Sequence, residues 1–88
     1  MQVKFTVLFN KDLQSIRSAK LSQEVENAIE NVKKVASIME IINLKKLKGY
    51  KNNYRIRIGD YRIGLFIEKN TVVFSRFLHR KDIYKYFP

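Results

Sequence analysis

The sequence predicts an α+β domain in which two N-terminal helices pack on one face of an antiparallel sheet, in the order β-α-α-β-β-β with a short C-terminal helix. Three observations carry that expectation. Residues 2–9 alternate, residues 22–39 place apolar side chains at helical spacing, and residues 54–77 hold three strand-like runs divided by two-residue turn signals. Eighty-eight residues make one domain, 1–88, with a single core. The hydrophobic fraction of 45% is enough to build that core, so compositional disorder is not expected.

The elements follow in order. Val3, Phe5, Val7 and Phe9 alternate with Gln2, Lys4, Thr6 and Leu8, the pattern of a half-buried strand over 2–9. Asn10 is then placed to cap a short helix that turns Leu13 and Ile16 inward. A second helix is expected from Ser22, with Glu24 in its first turn, where the helix dipole favours an anion. Its inward stripe is Val25, Ala28, Ile29, Val32, Val35, Ala36 and Met39, and Glu30 and Lys34 pair at i,i+4 on the outside. The stretch IINLKKLKGYKNN reads as a basic connector punctuated by Gly49.

Three strands come next: YRIRI, YRIGLFIE and TVVFSRF. Gly59-Asp60 suits a two-residue hairpin loop, and Lys69-Asn70 is the expected second turn. With the first loop fixed, Ile58 opposes Tyr61, Arg57 opposes Arg62 and Arg55 opposes Gly64. Tyr54, Ile56, Ile58, Tyr61, Ile63, Leu65 and Ile67 then share the buried face, and Arg55, Arg57 and Arg62 share the other. Carried through the second loop, the same count puts Phe77 beside Arg62 and Ser75 beside Gly64. The closing HRKDIYKYFP allows a short helix with Ile83 and Phe87 inward and Arg80 and Tyr84 as i,i+4 neighbours.

Charge narrows the function. The net charge is +10, yet residues 1–44 carry six Lys/Arg against five Asp/Glu, whereas residues 45–88 carry twelve against three. The second half therefore holds nine of the ten excess charges, and a polyanionic partner follows from counterion release. With no cysteine there is neither a disulfide nor a thiolate metal site, and a reducing, cytoplasmic setting is expected. A single histidine, His79, cannot anchor a multi-histidine centre, so no metal and no cofactor are expected. MQVKFTVLFNKD lacks the layout of a signal peptide, and no apolar run has the length of a membrane span.

Like charges facing each other on a sheet cost about 0.2–1 kcal/mol. Three arginines on one patch make sense where an anion neutralises them, and Gly64 among them invites a close approach. Arginines keep their protons at neutral pH, so they clamp a phosphate and stabilise charge building on it. RNA brings its own nucleophile, the 2′-OH. Tyr84 is then a candidate proton acceptor, with His79 as a second, and Lys45, Lys46, Lys48 and Lys51 are candidate RNA-phosphate contacts.

The run L-K-x-L-K-G-Y-K-N-x-Y-R-I-R-I-G-D-Y-R-I-G, followed by V-V-F-S-R-F-L-H-R-K-D-I-Y-K, resembles the RelE/ParE superfamily of bacterial and archaeal toxins, and its RelE branch most. The resemblance spans the whole chain in element order and is motif-specific from Asn43 to Tyr86. It implies a RelE-like fold and the toxin of a type II toxin-antitoxin system. It also implies a ribosome-dependent, metal-independent endoribonuclease that cleaves mRNA in the A site, inhibits translation and is neutralised by a cognate acidic antitoxin. The family's substrate-contacting basic residues fall on Arg55, Arg57, Arg62 and Arg80, and its terminal-helix tyrosine on Tyr84. This chain departs from some members in having arginine rather than lysine at 55 and 57, which moves the proton-acceptor role toward Tyr84. The competing readings are a ParE-type DNA gyrase inhibitor and a non-catalytic RNA- or ribosome-binding module.

Overall fold

A computed structural model describes residues 1–88. Strand β1 spans Gln2–Phe5, helix α1 Val7–Gln14 and helix α2 Ala19–Lys34. Strands β2 (Leu44–Lys46), β3 (Asn53–Ile58), β4 (Tyr61–Glu68) and β5 (Thr71–His79) follow, and helix α3 (Ile83–Tyr86) closes the chain. The five strands form one sheet in the order β1-β5-β4-β3-β2. The α+β architecture is the expected one, with a fifth strand added. The sheet is antiparallel except at one edge, where β1 runs parallel to β5.

The first strand ends four residues before the alternation does. Thr6 turns the chain: its side chain accepts from the Phe9 N–H at 3.0 Å and donates to the Ser75 carbonyl at 2.8 Å. Thr6, not Asn10, is therefore the cap of α1, and Phe9 is fully buried as a helical residue. The second helix likewise starts earlier than Ser22, because Ser18 accepts from the Leu21 N–H at 3.1 Å. Val25, Ala28, Ile29 and Val32 line its inner face as expected. The stripe stops with the helix at Lys34, and Met39 sits exposed on a 3₁₀ turn over Ile38–Glu40.

The main core lies between α1, α2 and one face of the sheet, where Ile56, Ile58, Ile63, Leu65 and Ile67 meet Phe9, Val25, Val32, Val72, Phe74 and Phe77. Tyr54 and Tyr61 pack at its margin. The opposite face carries a smaller cluster of Leu47, Ile83 and Phe87, with Leu78 against it. Ile83 and Phe87 are thus the inward pair of α3, as their spacing predicts.

Strand pairing across Gly59-Asp60 follows the expected register, with Arg57 opposite Arg62 and Arg55 opposite Gly64. Gly59 adopts φ +56°, a conformation open to glycine at little cost. Lys69-Asn70 is the second loop, with Glu68 opposite Thr71, but a bulge between Gly64 and Leu65 shifts the pairing by one residue. Gly64 therefore faces Arg76 and Arg62 faces Leu78, not Ser75 and Phe77. The bulge keeps Phe77 on the core face and places Arg76 where Asp12 of α1 holds it at 2.8 and 3.2 Å. The same carboxylate accepts the Phe77 N–H at 2.9 Å, serving the edge of β5 that β1 leaves uncovered.

Candidate active site

Part of the basic stretch after α2, Leu44–Lys46, is a strand, and the rest is loop. Strand β2 pairs with β3 so that Lys45 faces Arg55 and Lys46 faces Tyr54. Two like-charged pairs, Lys45–Arg55 and Arg57–Arg62, therefore stand side by side on the face away from the main core. Arg55 donates to the Asn43 carbonyl at 3.0 Å, and Arg62 donates to the carbonyls of Gly59 and Tyr61, each at 2.8 Å. Backbone oxygens thus orient two guanidinium groups without cancelling their charge.

Arg62 is the electrostatic centre of the patch. Burial and the nearby Arg55 cation hold its pKa below the ordinary arginine value, Tyr84 acts in the opposite sense, and Arg57 and Arg80 push it further down. Arg55 and Arg57 of β3, Arg80 in the turn after β5 and Tyr84 of α3 thus all lie within electrostatic reach of Arg62.

Two grooves open beside this patch. One, of about 660 Å³, lies between α2 and the Gly59-Asp60 end of the β3–β4 hairpin, lined by Arg57, Arg62 and Arg80 and by Asn27 and Asn31 of α2. It is not free of carboxylates: Glu24 lines it, and Asp60 lies 4.0 Å from Arg80 in a loose, exposed pair. The second groove, of about 450 Å³, is walled by Lys45, Lys46, Lys48, Tyr50, Arg55 and Tyr84. Tyr84 is 62% exposed there, so its hydroxyl is open to a ligand.

Several expected positions shift. Arg80 precedes α3 rather than lying within it, so it and Tyr84 are not successive turns of one helix. Arg80 is fixed instead by its backbone N–H, which donates to the Asp60 carbonyl at 2.8 Å. His79 is paired with Tyr61 in the sheet and meets the Tyr61 ring edge-on at 5.4 Å. It lines a separate depression with Asp12, Ser15 and Ile16 of the α1 side, and its Nδ1 accepts the Lys81 N–H at 3.1 Å. The alternation of β5 therefore turns His79 away from the arginine face. Lys51 is exposed in the loop before β3, apart from the groove that holds the other three lysines. Gly64 does admit a close neighbour, but it is the chain's own Phe87: a Cβ at position 64 would come within 2.6 Å of that ring. Tyr50 was not signalled by the sequence, since an aromatic residue in a Lys- and Asn-rich loop has no periodicity to reveal it.

Fold and site together define a small α+β domain with a cationic face, and comparison with known proteins gives its family. Residues 3–84 match the family model described as the ParE toxin of the type II toxin-antitoxin system parDE. The chain is 42% identical over 89 residues to Toxin RelE3 of Methanocaldococcus jannaschii, covering 100% of both. Its structure resembles the RelB-RelE antitoxin-toxin complex from Methanococcus jannaschii at TM-score 0.81 and 40% identity, over 97% of this chain and 99% of that one. A second similar structure is the toxin-antitoxin complex RelBE2 from Mycobacterium tuberculosis, at TM-score 0.68 and 28% identity, over 90% of this chain and 96% of that one. The chain belongs to the RelE/ParE family of toxins of type II toxin-antitoxin systems, and within it to the RelE type.

Proposed function

We propose that this toxin is a ribosome-dependent endoribonuclease that cleaves mRNA in the A site and so inhibits translation. The observation that carries the reading is the convergence of Arg55, Arg57, Arg62 and Arg80 with Tyr84 around one open face. Crowded cations, of which only Arg80 has a carboxylate partner and that a loose one, are stabilised by a bound phosphate. In the proposed reaction the RNA 2′-oxygen attacks the adjacent phosphorus, and its proton passes to Tyr84 acting in its phenolate form, which becomes the phenol. The P–O5′ bond breaks, leaving a 2′,3′-cyclic phosphate, and the departing oxygen takes a proton from water to become the 5′-hydroxyl. The arginines neutralise the charge that builds on the phosphoryl oxygens in the transition state. Nothing in this sequence of steps calls for a metal, and no three His, Asp or Glu side chains gather anywhere in the fold to hold one. His79 is the less favoured acceptor, because its ring lies on the other face.

The partners proposed are the ribosome, mRNA and a cognate acidic antitoxin whose carboxylates complement the cationic face. Related toxins in solved structures are bound to RelB antitoxins. No helix here is long and apolar enough to cross a membrane. Primer extension on a translated message tests the activity, with cuts expected only on ribosome-engaged mRNA. The match to a ParE description supports a second reading, DNA gyrase inhibition. Intact transcripts alongside inhibited supercoiling decide for it.

A further inference from the structure

Tyr50 stands in the second groove with no role in the chemistry above. It lies in a loop closed by two hydrogen bonds, from the Leu47 N–H to the Asn53 carbonyl at 2.8 Å and from the Tyr50 N–H to the Leu47 carbonyl at 3.3 Å. Gly49 at φ +85° makes the turn that presents the ring. Leu47 anchors this loop in the same small cluster as Ile83 and Phe87 of α3. One three-residue core thus anchors both the loop that carries Tyr50 and the helix that carries Tyr84, and both tyrosines line the same groove.

The chemistry of that groove is selective. Lys45, Lys46, Lys48 and Arg55 supply four cations, and no Asp or Glu side chain lines it, unlike the neighbouring groove with Glu24 and Asp60. Tyr50 is 49% exposed among them, and with Tyr84 it gives the groove aromatic surface beside fixed positive charge. Phosphate-binding cations interleaved with half-exposed aromatic rings are what a single-stranded nucleotide needs: backbone on the cations, base on the ring. Arg55 also lines the shallow depression that holds Arg57, so the cationic track runs unbroken from this groove toward the proposed cleavage site.

We propose that Tyr50 is a stacking platform for a nucleobase of the bound RNA, one that neighbours the scissile phosphate and is held there by Lys45, Lys46 and Lys48. This rests on the nuclease reading and names a subsite of it. The site recognises a planar base and not its sequence, because every base offers a π face.

The test uses the full-length toxin on mRNA-programmed ribosomes under single-turnover conditions. Tyr50→Leu is expected to raise the half-saturating concentration about 10-fold, the reach of one stacked base, while Tyr50→Phe stays near wild type because it keeps the ring. The salt dependence of binding is expected to be unchanged in Tyr50→Leu but reduced by about one unit of log–log slope in Lys48→Ala. Three results overturn the proposal while leaving the nuclease standing: wild-type behaviour of Tyr50→Leu, an equal loss in Tyr50→Phe, or a Tyr50→Leu defect confined to antitoxin neutralisation, which assigns the ring to a protein interface. If the wild-type toxin neither cleaves nor binds programmed ribosomes, the nuclease reading itself falls and the subsite with it.

Discussion

Arg76 and Arg62 lie on adjacent strands of one sheet in opposite surroundings. Arg76 is clamped by Asp12 at 2.8 Å, with both side chains largely buried (19% and 13% exposed), and that hydrogen bond raises its pKa above the ordinary value. Arg62 has only backbone oxygens for partners and cations for neighbours, and its pKa is lowered. One arginine is completed by the fold, whereas the other is left incomplete by it. A cation that finds its carboxylate inside the protein fastens elements together, here α1 to β5. A cation set among others keeps its charge available to something outside.

The largest effect is expected where the completed arginine is broken. Asp12→Ala removes the partner of a mostly buried cation and also strips the acceptor from the Phe77 N–H. A loss of about 3 kcal/mol follows, and at about 4–8 °C per kcal/mol for a chain of this size the melting temperature drops by more than about 10 °C. Thermal unfolding of the purified variant measures it, and a change of only a degree or two means the clamp is ornamental.

Next in size is Tyr84→Phe, which keeps the ring and removes the hydroxyl. Single-turnover cleavage on ribosomes is expected to fall by about 10²-fold, equivalent to about 2.7 kcal/mol in the barrier, with ribosome binding retained. His79→Gln is expected to cost less. A near wild-type Tyr84→Phe with an inactive His79→Gln exchanges the two roles.

Gly64→Ala sharpens the contrast from another side. The added methyl meets the Phe87 ring at 2.6 Å, so α3 must shift, at a cost of about 1–3 kcal/mol. Because Tyr84 rides on α3, the rate of cleavage is expected to fall more than the affinity for ribosomes. Restored cleavage in the double variant with Phe87→Ala, whose smaller side chain makes room, indicates that the ring contact is the cause. If Gly64→Ala leaves both rate and stability unchanged, the close contact is absorbed elsewhere.

The smallest effect has the opposite sign. Arg62→Ala relieves repulsion with Arg57 and Arg55, so stability holds or rises by about 0.2–1 kcal/mol while cleavage is lost. A clear fall in melting temperature makes Arg62 a structural residue like Arg76, and the distinction between them collapses.

What was legible in the sequence was local. Gly59-Asp60 fixes a two-residue loop, and strand alternation then places Arg57 opposite Arg62 and all the isoleucines of β3 and β4 on one face. Ile83 and Phe87 declare the inner side of α3 by their spacing. The arginine face and its likeness to the family follow from these short-range rules, as does the charge asymmetry between the two halves. Where two local signals compete, the sequence misleads: alternation through Phe9 extends β1 too far, because Thr6 finds both the Phe9 N–H and the Ser75 carbonyl, 69 residues away in sequence.

The remainder was decided by contacts that no window of sequence contains. Strand β2 exists because β3 offers it a free edge, which turns a basic connector into a row of cations beside Arg55. The bulge opposite Gly64 follows from the need to keep Phe77 in the core and bring Arg76 to Asp12, both set by the packing of α1. That one-residue shift changes which side chains Arg62 and Gly64 face. Tyr50 joins the site only because Leu47 and Phe87 share a core. Side-chain periodicity is a property of the chain, whereas the pairing of edges and the sharing of a core depend on several elements at once, so only the tertiary structure fixes them.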